Sequence, residues 1–520
     1  MFISIFTAKR LLYFSLASSI WILGCEDTNI KSSNPDEILT DLGPELDAVA
    51  SEDQMVSSDQ MALGDQGDLS IDADLQALDE GLIDMEGRAL EPLPAPAPTE
   101  SIDAPPTWRW ARGLIHMHSV HSHDACDGDP KPNGEPNEPC LADLRAAICR
   151  SQLDYLLLTD HPTSFADVTF EEAVLHDPEL GDRLILDEEG AVVGGDLACA
   201  DGHRVLVAPG SEGEIMPVML TRKPADRGWY GQRTAEAVSA LREAGAVMLH
   251  AHTEERTFEE LWPIGLDGFE VYNLHANVNP RGPQLAEVLS EITALLQAGD
   301  RGPHPDLAML AILRESPIAL SIWNQFIARR RALGFAGSDI HQNVPPLLFP
   351  TRDGERLDSY RRLTTWFANY LLIKEVTLDE IRSALLNGRL AVVFRLLGEP
   401  QGLDYALYTP DGEREEMGSE LDWAEGLELR FTAPVVPPET SLQVRLIRSQ
   451  LRVDGAGMEE VVVETLSVSE GSIISPVTTP GAYRVEVWVT PNHLREHLGE
   501  LADRFLQPMI WIYTNPIYLR

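Results

Sequence analysis

Five short segments of the chain carry side chains of the types that bind metal ions, and each follows an apolar run. They are His116-Met117-His118, Thr159-Asp160-His161, Gly210-Ser211-Glu212, His250-Ala251-His252 and Ser338-Asp339-Ile340-His341. Residues two apart in an extended strand point the same way, so His116 and His118 can reach one metal from one strand end. A single strand-end histidine is more often a hydrogen-bonded structural residue, but repetition at five strand ends indicates a shared site. Mixed imidazole and carboxylate ligands suit Mn, Fe or Zn, and such metals turn bound water into a hydroxide nucleophile.

The chain between these segments alternates between strand-like and helix-like patterns. Apolar runs at 154–158, 204–208, 246–249 and 268–272 predict buried strands, whereas 141–152 and 234–244 have helical spacing. Thr377 and Glu380 predict the start of a further helix that ends at Gly388. This alternation predicts an α/β barrel or a doubly wound sheet over 107–397. The carboxyl ends of barrel strands converge on one site, which would bring the five segments together.

The helical signal fades after residue 397. Residues 427–431 and 483–489 alternate apolar and polar side chains, and turn sequences occur at 410–412 and 480–481. This pattern predicts a small all-β sandwich domain over 398–520.

The order of the motifs, HxH, TDH, GxE, a histidine after an apolar strand and SDxH, resembles that of the PHP (polymerase and histidinol phosphatase) family. The resemblance implies a distorted (β/α)7 barrel that binds two or three divalent metals at its C-terminal face. Matched residue by residue, the ligands would be His116, His118, His161, Glu212, His252, Asp339 and His341. One further ligand would be either His123 or Asp124, of which we prefer Asp124. Asp160 would orient a metal ligand by a hydrogen bond and would not itself bind a metal.

The chain also departs from the family pattern. Thr253 follows His252 where the family usually has proline, and His250 has no counterpart. The barrel-plus-sandwich layout, the stretch 337–343 and the Asn-Pro-Ile-Tyr sequence at 515–518 resemble an exported subgroup that includes carbaryl-hydrolysing esterases.

Other polar residues are candidates for catalysis and for substrate binding. His250 or His275 could protonate the leaving group. Arg222 and Lys223, followed by Arg227, could hold the charge of a phosphate, since phosphate sites usually contain Arg or Lys.

The N-terminal residues predict export. Lys9 and Arg10 precede a short apolar run that ends at Cys25, which resembles a bacterial lipobox, so 1–25 is predicted to be a lipoprotein signal peptide with lipidation at Cys25. Residues 26–106 are acidic and end in a Pro-rich stretch, which predicts a disordered linker. We therefore expect a membrane-anchored lipoprotein in the bacterial periplasm or at the cell surface. The contact with the membrane would be made by the lipid alone.

Charge and cysteine content limit the partners further. The chain has 83 acidic and 40 basic residues, and its formal charge of −43 argues against nucleic acid as a partner. Besides Cys25, four cysteines remain, which in an exported protein suggests two disulfides with three possible connectivities. We prefer Cys126–Cys140, which closes a Pro/Gly/Asn-rich loop, and Cys149–Cys199.

Three functions are consistent with these residues. The first is metal-dependent hydrolysis of a phosphoester, and the second is hydrolysis of a carbamate, carboxyl ester or amide by the same fold. Both would act on a small-molecule substrate. The third is a surface binding module that keeps metals only for structure. All of the predicted ligand types are present, which favours an enzyme.

Overall fold

The computed structural model describes residues 93, 96–278, 283–296, 302–346, 348–437, 440–452, 457–468 and 472–520. The predicted signal peptide with Cys25 and most of the predicted linker lie outside the described residues. All described residues belong to one unit, Ile83–Arg520. Within them, no helix combines the length and the apolar character needed to cross a membrane.

The strands of the described residues are labelled β1 to β21 in chain order. They are Arg109–Met117 (β1), Tyr155–Leu157 (β2), Arg183–Leu186 (β3), Val192–Ala198 (β4), Arg204–Ala208 (β5), Met216–Val218 (β6), Val247–His250 (β7), Gly268–Asn273 (β8), Leu333–Ile340 (β9), Ala368–Ile373 (β10), Leu390–Val393 (β11), Asp404–Tyr408 (β12), Arg414–Glu416 (β13), Glu420–Leu421 (β14), Glu428–Thr432 (β15), Ser441–Leu451 (β16), Met458–Val468 (β17), Ser472–Pro476 (β18), Gly481–Thr490 (β19), Met509–Thr514 (β20) and Ile517–Leu519 (β21).

The α-helices of the described residues are labelled α1 to α12 in the same way. They are Glu138–Arg150 (α1), Pro162–Phe165 (α2), Phe170–Ala173 (α3), Ala235–Glu243 (α4), Phe258–Leu261 (α5), Leu274–Val278 (α6), Pro283–Leu296 (α7), Pro317–Ile327 (α8), Tyr360–Thr365 (α9), Leu378–Asn387 (α10), Arg495–Leu498 (α11) and Ala502–Phe505 (α12). Short 3₁₀ turns occur between them, including Cys126–Gly128 and Thr253–Glu255.

The strands that precede the motifs pair with one another. β1 runs parallel to β2 and β9, β2 runs parallel to β5, and β8 runs parallel to β7 and β9. β6 pairs antiparallel with β7. Backbone hydrogen bonds from Ser211 N to Pro217 O (3.0 Å) and from Leu220 N to Pro209 O (2.9 Å) join β6 to the chain that leaves β5, so the pairing closes into a ring. The parallel strands of this ring end at the same face, where their C-terminal residues meet.

Local sequence explains the elements of this ring. Every residue of β2, β7, β8 and β9 is buried, as expected for parallel strands covered on both faces. The predicted start of α10 is confirmed, because Thr377 Oγ1 accepts from Glu380 N at 3.2 Å. The helix ends at Gly388, whose φ of 71° is readily adopted only by glycine. The predicted mixed α/β class is thus confirmed.

The chain after β9 extends the sheet with antiparallel strands. β10 pairs with β1, β11 with β10, and β20 with β11. β19 continues from β20 and pairs with β16, which in turn pairs with β17. A separate four-stranded sheet has the order β13-β12-β15-β18, and Tyr405 Oη donates to Tyr483 O across the two sheets at 2.8 Å. The prediction that strands dominate the C-terminal region is confirmed.

Asn515 joins this C-terminal region to the strand that carries two predicted ligands. Its Oδ1 accepts from Gly334 N at 2.7 Å, and its Nδ2 donates to Gly334 O and to Leu390 O at 2.8 Å each. Since Asn515 is buried, these bonds satisfy the backbone N–H and C=O groups of Gly334 at the start of β9.

Candidate metal centre

Four side chains at the ends of the barrel strands form what we call the first cluster. It consists of His116, Glu212, His252 and Asp339, whose donor atoms all lie within 4.8 Å of one another. Nε2 of His116 lies 3.3 Å from Glu212 Oε1 and 3.3 Å from Asp339 Oδ1. Nε2 of His252 lies 3.1 Å from Glu212 Oε1 and 3.4 Å from Asp339 Oδ2. Two rings and two carboxylates therefore face a common point.

Three further rings form the second cluster, which consists of His118, His161 and His341. The rings of His118 and His341 stack with centroids 3.8 Å apart, and Nε2 of His341 lies 3.4 Å from Nε2 of His161. Asp124 Oδ2 lies 3.2 Å from His341 Nε2 and 3.4 Å from His161 Nε2. Glu212 and Asp339 reach both clusters, because each has an oxygen 3.4 Å from His118 Nε2.

The spacing of these donor atoms fits metal coordination. Two ligands at metal distances of about 2.0–2.2 Å in a tetrahedral arrangement lie about 3.3–3.6 Å from each other. The nitrogen–oxygen separations between 3.1 and 3.4 Å in the first cluster are close to that edge length. The clusters could therefore each hold a divalent cation.

The hydrogen bonds of the histidine rings also fit metal coordination. His116 Nδ1 donates to Glu270 Oε1 (2.8 Å), His161 Nδ1 donates to Glu212 O (3.3 Å) and His341 Nδ1 donates to Asp339 O (3.1 Å). When the ring is neutral, each of these histidines therefore carries its lone pair on Nε2, which faces the cluster. The Nε2 atoms of His116 and His118 are buried and lack a well-directed hydrogen bond to any described residue. Buried polar atoms nearly always have a partner, and a metal would supply it.

Three of the four residues of the first cluster have a left-handed backbone. The φ angles are 65° for His116, 49° for His252 and 52° for Asp339. Such conformations cost on the order of 1–3 kcal/mol each and persist where the surrounding structure enforces them, which is common at functional sites. Here the turn of the backbone aims each side chain at the common point.

The charges at the site are strongly coupled. Burial alone raises the pKa of Glu212 and of Asp339, but His116 lowers both well below the usual range. Burial alone lowers the pKa of His116, yet Glu212 and Asp339 raise it well above its usual value. Burial alone also lowers the pKa of His161, but the hydrogen bond to Asp124 and the nearby carboxylates raise it to about 10. A buried carboxylate cluster requires positive charge nearby, which protons or metal ions can provide.

Glu270 is a site residue that sequence reasoning missed. Its side chain is fully buried in β8, where Oε1 accepts from His116 Nδ1 and Oε2 accepts from His252 N (2.7 Å) and Asn273 Nδ2 (2.9 Å). A Cβ atom at Gly337 would lie 1.4 Å from Glu270 Oε1, so glycine is needed at that position of β9. The available signal was a carboxylate inside the otherwise apolar strand 268–272.

The two candidates for the additional ligand lie in different places. The Asp124 side chain is 15% exposed and contacts His161 and His341, whereas that of His123 is 57% exposed, with Nδ1 3.9 Å from Asp124 Oδ1. His123, Asp124 and His161 nevertheless form a third group with metal-ligand spacing. Asp160 accepts from Ser119 N (2.7 Å) and Ser119 Oγ (2.8 Å), so it supports the residue after His118.

The two candidate catalytic histidines differ in their surroundings. His275 Nδ1 lies 2.9 Å from Asp339 Oδ2, and its side chain is 24% exposed. His250 is buried, and neither ring nitrogen has a hydrogen-bond partner among the described residues. Burial lowers the pKa of His250 to about 3, so its ring is neutral.

Two of the candidate phosphate-binding side chains already donate hydrogen bonds to backbone carbonyl groups. Arg222 donates to Glu243 O, and Lys223 donates to Ala166 O at 2.9 Å. Arg227, which is largely exposed, pairs with Asp167. Two other arginines converge on Glu214, which follows Glu212 by two residues: Arg233 Nη1 lies 3.0 Å and Arg256 Nη2 3.8 Å from Glu214 Oε2.

The structure contains both disulfides of the preferred pairing, Cys126–Cys140 and Cys149–Cys199. The first lies beside the second cluster, because Cys126 follows Asp124 by two residues. The second joins the end of α1 to the residue after β4.

One further cluster of carboxylates has the spacing of a metal site. Asp306, Asp353 and Glu355 lie close together. Asp306 pairs with Arg361 (2.8 Å) and Arg362 and accepts from Trp366 Nε1 (2.7 Å), and Asp353 pairs with Arg362 (2.9 Å). Since arginines already balance these charges, the group is a buried ion-pair network.

No protein-family model and no curated protein matches the chain. Among solved structures, the chain is similar to a two-domain protein from Bacteroides vulgatus ATCC 8482 that contains a predicted PHP-like metal-dependent phosphoesterase. The identity is 15%, the TM-score is 0.28, and the match covers 76% of this chain and 95% of the other. A TM-score this low does not establish a shared fold.

Proposed function

We propose that the protein is a metal-dependent hydrolase of a small-molecule ester, with a phosphoester as the first candidate substrate. The observation that carries the proposal is the pair of buried Nε2 atoms of His116 and His118, which face carboxylates at ligand spacing without a hydrogen bond to any described residue. The donor set suits Mn, Zn or Fe. Two ions would occupy the two clusters, and a third would have His123 and Asp124 as ligands, because the one lone pair of His161 already faces the second cluster. The ring of barrel strands supports our assignment of a distorted (β/α)7 barrel.

We assign a different role to each residue of the site. Bound divalent metals would lower the pKa of a water molecule and polarise the ester oxygen. Glu212 and Asp339 contact both clusters and so fix their separation. His275, partly exposed and held by Asp339, is the better placed of the two candidate histidines to give a proton to the leaving group. His250 is buried and neutral, which favours a structural role.

The substrate class depends on positive charge near the clusters. Arg233 and Arg256 lie beside Glu214 and could hold a phosphate, as could Arg222 and Lys223 if they exchange their backbone partners for substrate. All four cations are already paired, which favours the second candidate, hydrolysis of a neutral carbamate, carboxyl ester or amide. Arg256→Ala should raise KM for a phosphoester and leave KM for a neutral ester unchanged. Arg222→Ala tests the other candidate pair in the same way.

The test of the proposal is metal content combined with turnover. The full chain would be analysed for Mn, Zn and Fe and assayed against phosphomonoester, phosphodiester and carboxyl ester substrates. Two or more ions per chain, with turnover that His116→Ala and Asp339→Ala abolish, would support the hydrolase and select its substrate class. Metal-loaded protein that turns over none of these substrates would favour the binding-module alternative, and protein that binds no metal would contradict the proposal.

We also propose that the protein is exported and anchored by lipid on Cys25. Two disulfides in the described residues support an oxidising compartment such as the periplasm or cell surface. Cys25→Ser should move the protein from the membrane fraction to the soluble fraction, whereas unchanged membrane fractionation would contradict lipidation.

A further inference from the structure

The segment that carries Asp124 is attached to the segment that carries His341. Cys126 N donates to His341 O at 2.9 Å, and Asp127 N donates to Gln342 O at 3.0 Å. Asn343 Nδ2 donates to Asp124 O at 3.1 Å. Two residues that face each other in the second cluster therefore lie on two backbones that bond side by side.

The Cys126–Cys140 disulfide anchors this pair of segments. Cys140 lies in the first turn of α1, where Asn137 Oδ1 accepts from Cys140 N at 3.3 Å. Both cysteines are buried. Sγ of Cys140 lies 3.4 Å from Gln342 Oε1 and 3.9 Å from Tyr360 Oη. The loop therefore cannot move away from the 341–343 segment without breaking contacts to a helix of the barrel.

The backbone at the start of this loop has a left-handed conformation that its residue types disfavour. Cys126 and Asp127 have φ angles of 55° and 59°, and neither is glycine. Arg356 clamps the same turn through Asp127, with Nη1–Oδ2 and Nη2–Oδ1 distances of 2.8 and 2.7 Å. The Asp127 side chain is about half exposed, so this ion pair is expected to contribute little alone. The covalent bond is the stronger restraint.

The first cluster is held by different means. His116 and Asp339 lie within β1 and β9, and Glu270 of β8 bonds to His116 and to the backbone of His252. These contacts belong to the barrel strands and do not involve the loop 126–140. Loss of the disulfide should thus affect the two clusters unequally.

We propose that the Cys126–Cys140 disulfide is a positioning device for the second cluster, which sets the placement of Asp124 and His341 and thereby the affinity for the metal bound there. The inference rests on the proposed metal centre. Without the disulfide, the second metal should bind about 10–100-fold more weakly, the range seen when supporting contacts of metal ligands are removed. The metal at the first cluster should keep its affinity.

The experiment compares two cysteine pairs in the full chain. Cys126→Ser/Cys140→Ser is titrated with Zn²⁺ and with Mn²⁺ against a competing chelator, beside Cys149→Ser/Cys199→Ser and the parent protein. The expected result is one weakened site in the first variant and two unchanged sites in the second. Equal affinities in all three proteins would overturn the proposal, as would equal weakening in both variants, because the disulfides would then act only on general stability.

A second variant covers the case in which the double substitution prevents folding. Cys126→Ala/Cys140→Ala removes the disulfide but places small apolar side chains at the two buried positions, so it should fold and should weaken the same metal by the same factor. Unchanged affinity in this alanine variant would overturn the proposal. A parent protein that binds no metal would instead refute the metal centre itself.

Discussion

Replacement of Glu270 by glutamine tests whether the carboxylate behind His116 sets the direction of that ring. Three donors reach Glu270: His116 Nδ1, His252 N and Asn273 Nδ2, at 2.8, 2.7 and 2.9 Å. A carboxylate accepts all three, but a glutamine amide has one oxygen and one NH₂ group. The best fit places the amide oxygen against His252 N and Asn273 Nδ2 and leaves the NH₂ group facing His116 Nδ1.

The consequence is a change of tautomer in His116. To avoid two opposed donors, Nδ1 must become the acceptor, and the proton moves to Nε2, which faces Glu212 and Asp339. The ring then presents a proton where a metal would need a lone pair. Substitution of such supporting residues typically lowers metal affinity about 10–100-fold, which corresponds to about 1.4–2.7 kcal/mol.

The assay is a titration of each variant with Zn²⁺ or Mn²⁺ in competition with a chelator of known affinity, with circular dichroism to confirm folding. Glu496→Gln, at an exposed position of α11 in the C-terminal region, removes the same charge and is the control. The reasoning would be refuted by a folded Glu270→Gln variant that binds both metals with the affinity of the control.

Four further outcomes follow from the structure. Gly337→Ala should weaken metal binding at least as much as Glu270→Gln, because the new Cβ occupies the place of Glu270 Oε1; a titration with parental affinity would contradict the contact. His275→Ala, assayed at saturating metal, should lower kcat about 100-fold or more and alter the pH–rate profile; an unchanged rate and profile would exclude the proton-donor role. Chelation of the metals should lower Tm, because Glu212 and Asp339 then lose cationic partners, and Tm should recover on adding Mn²⁺ or Zn²⁺; a Tm insensitive to both treatments would argue against the site. Asp306→Asn should lower the free energy of unfolding by about 3–5 kcal/mol, as measured in urea at neutral pH. Burial raises the pKa of Asp306, but Arg362 and Arg361 lower it far more, so the net pKa lies well below its usual range. The stabilisation is therefore present above the unfolded-state pKa of about 3.9 and declines as pH falls below it, and the variant should lack this acid-dependent part.

Much of the barrel could be predicted from the sequence because its strands are short, apolar and followed by polar motifs. The predicted strand at 204–208 matches β5, and the one at 268–272 lies within β8, which extends to Asn273. The same alternation predicted α4 and α10, whose first turns are capped by Thr234 and Thr377. Local patterns fix such elements because burial and capping act over a few residues.

Other features depend on contacts between distant parts of the chain. Nothing near Glu270 in sequence shows that it bonds to His116, 154 residues away. The left-handed backbone at His252 and Asp339 is imposed by the surrounding fold and has no signal in a neighbouring glycine. The pairing of β11 with β20 likewise joins segments whose local patterns indicate only that each is a strand.

The hydrogen bonds between Asn515 and Gly334 have a consequence for the folding of the barrel during synthesis. The two residues are 181 positions apart, and translation at 5–20 residues per second needs about 9–36 s to cover that distance. During this interval the start of β9 has emerged without the side chain that satisfies its backbone, although β9 carries Asp339 and His341. The strand that carries these candidate ligands therefore completes its hydrogen bonds late. If the proposed metal centre is correct, a nascent chain should acquire tight metal binding only after residue 515 has been synthesised.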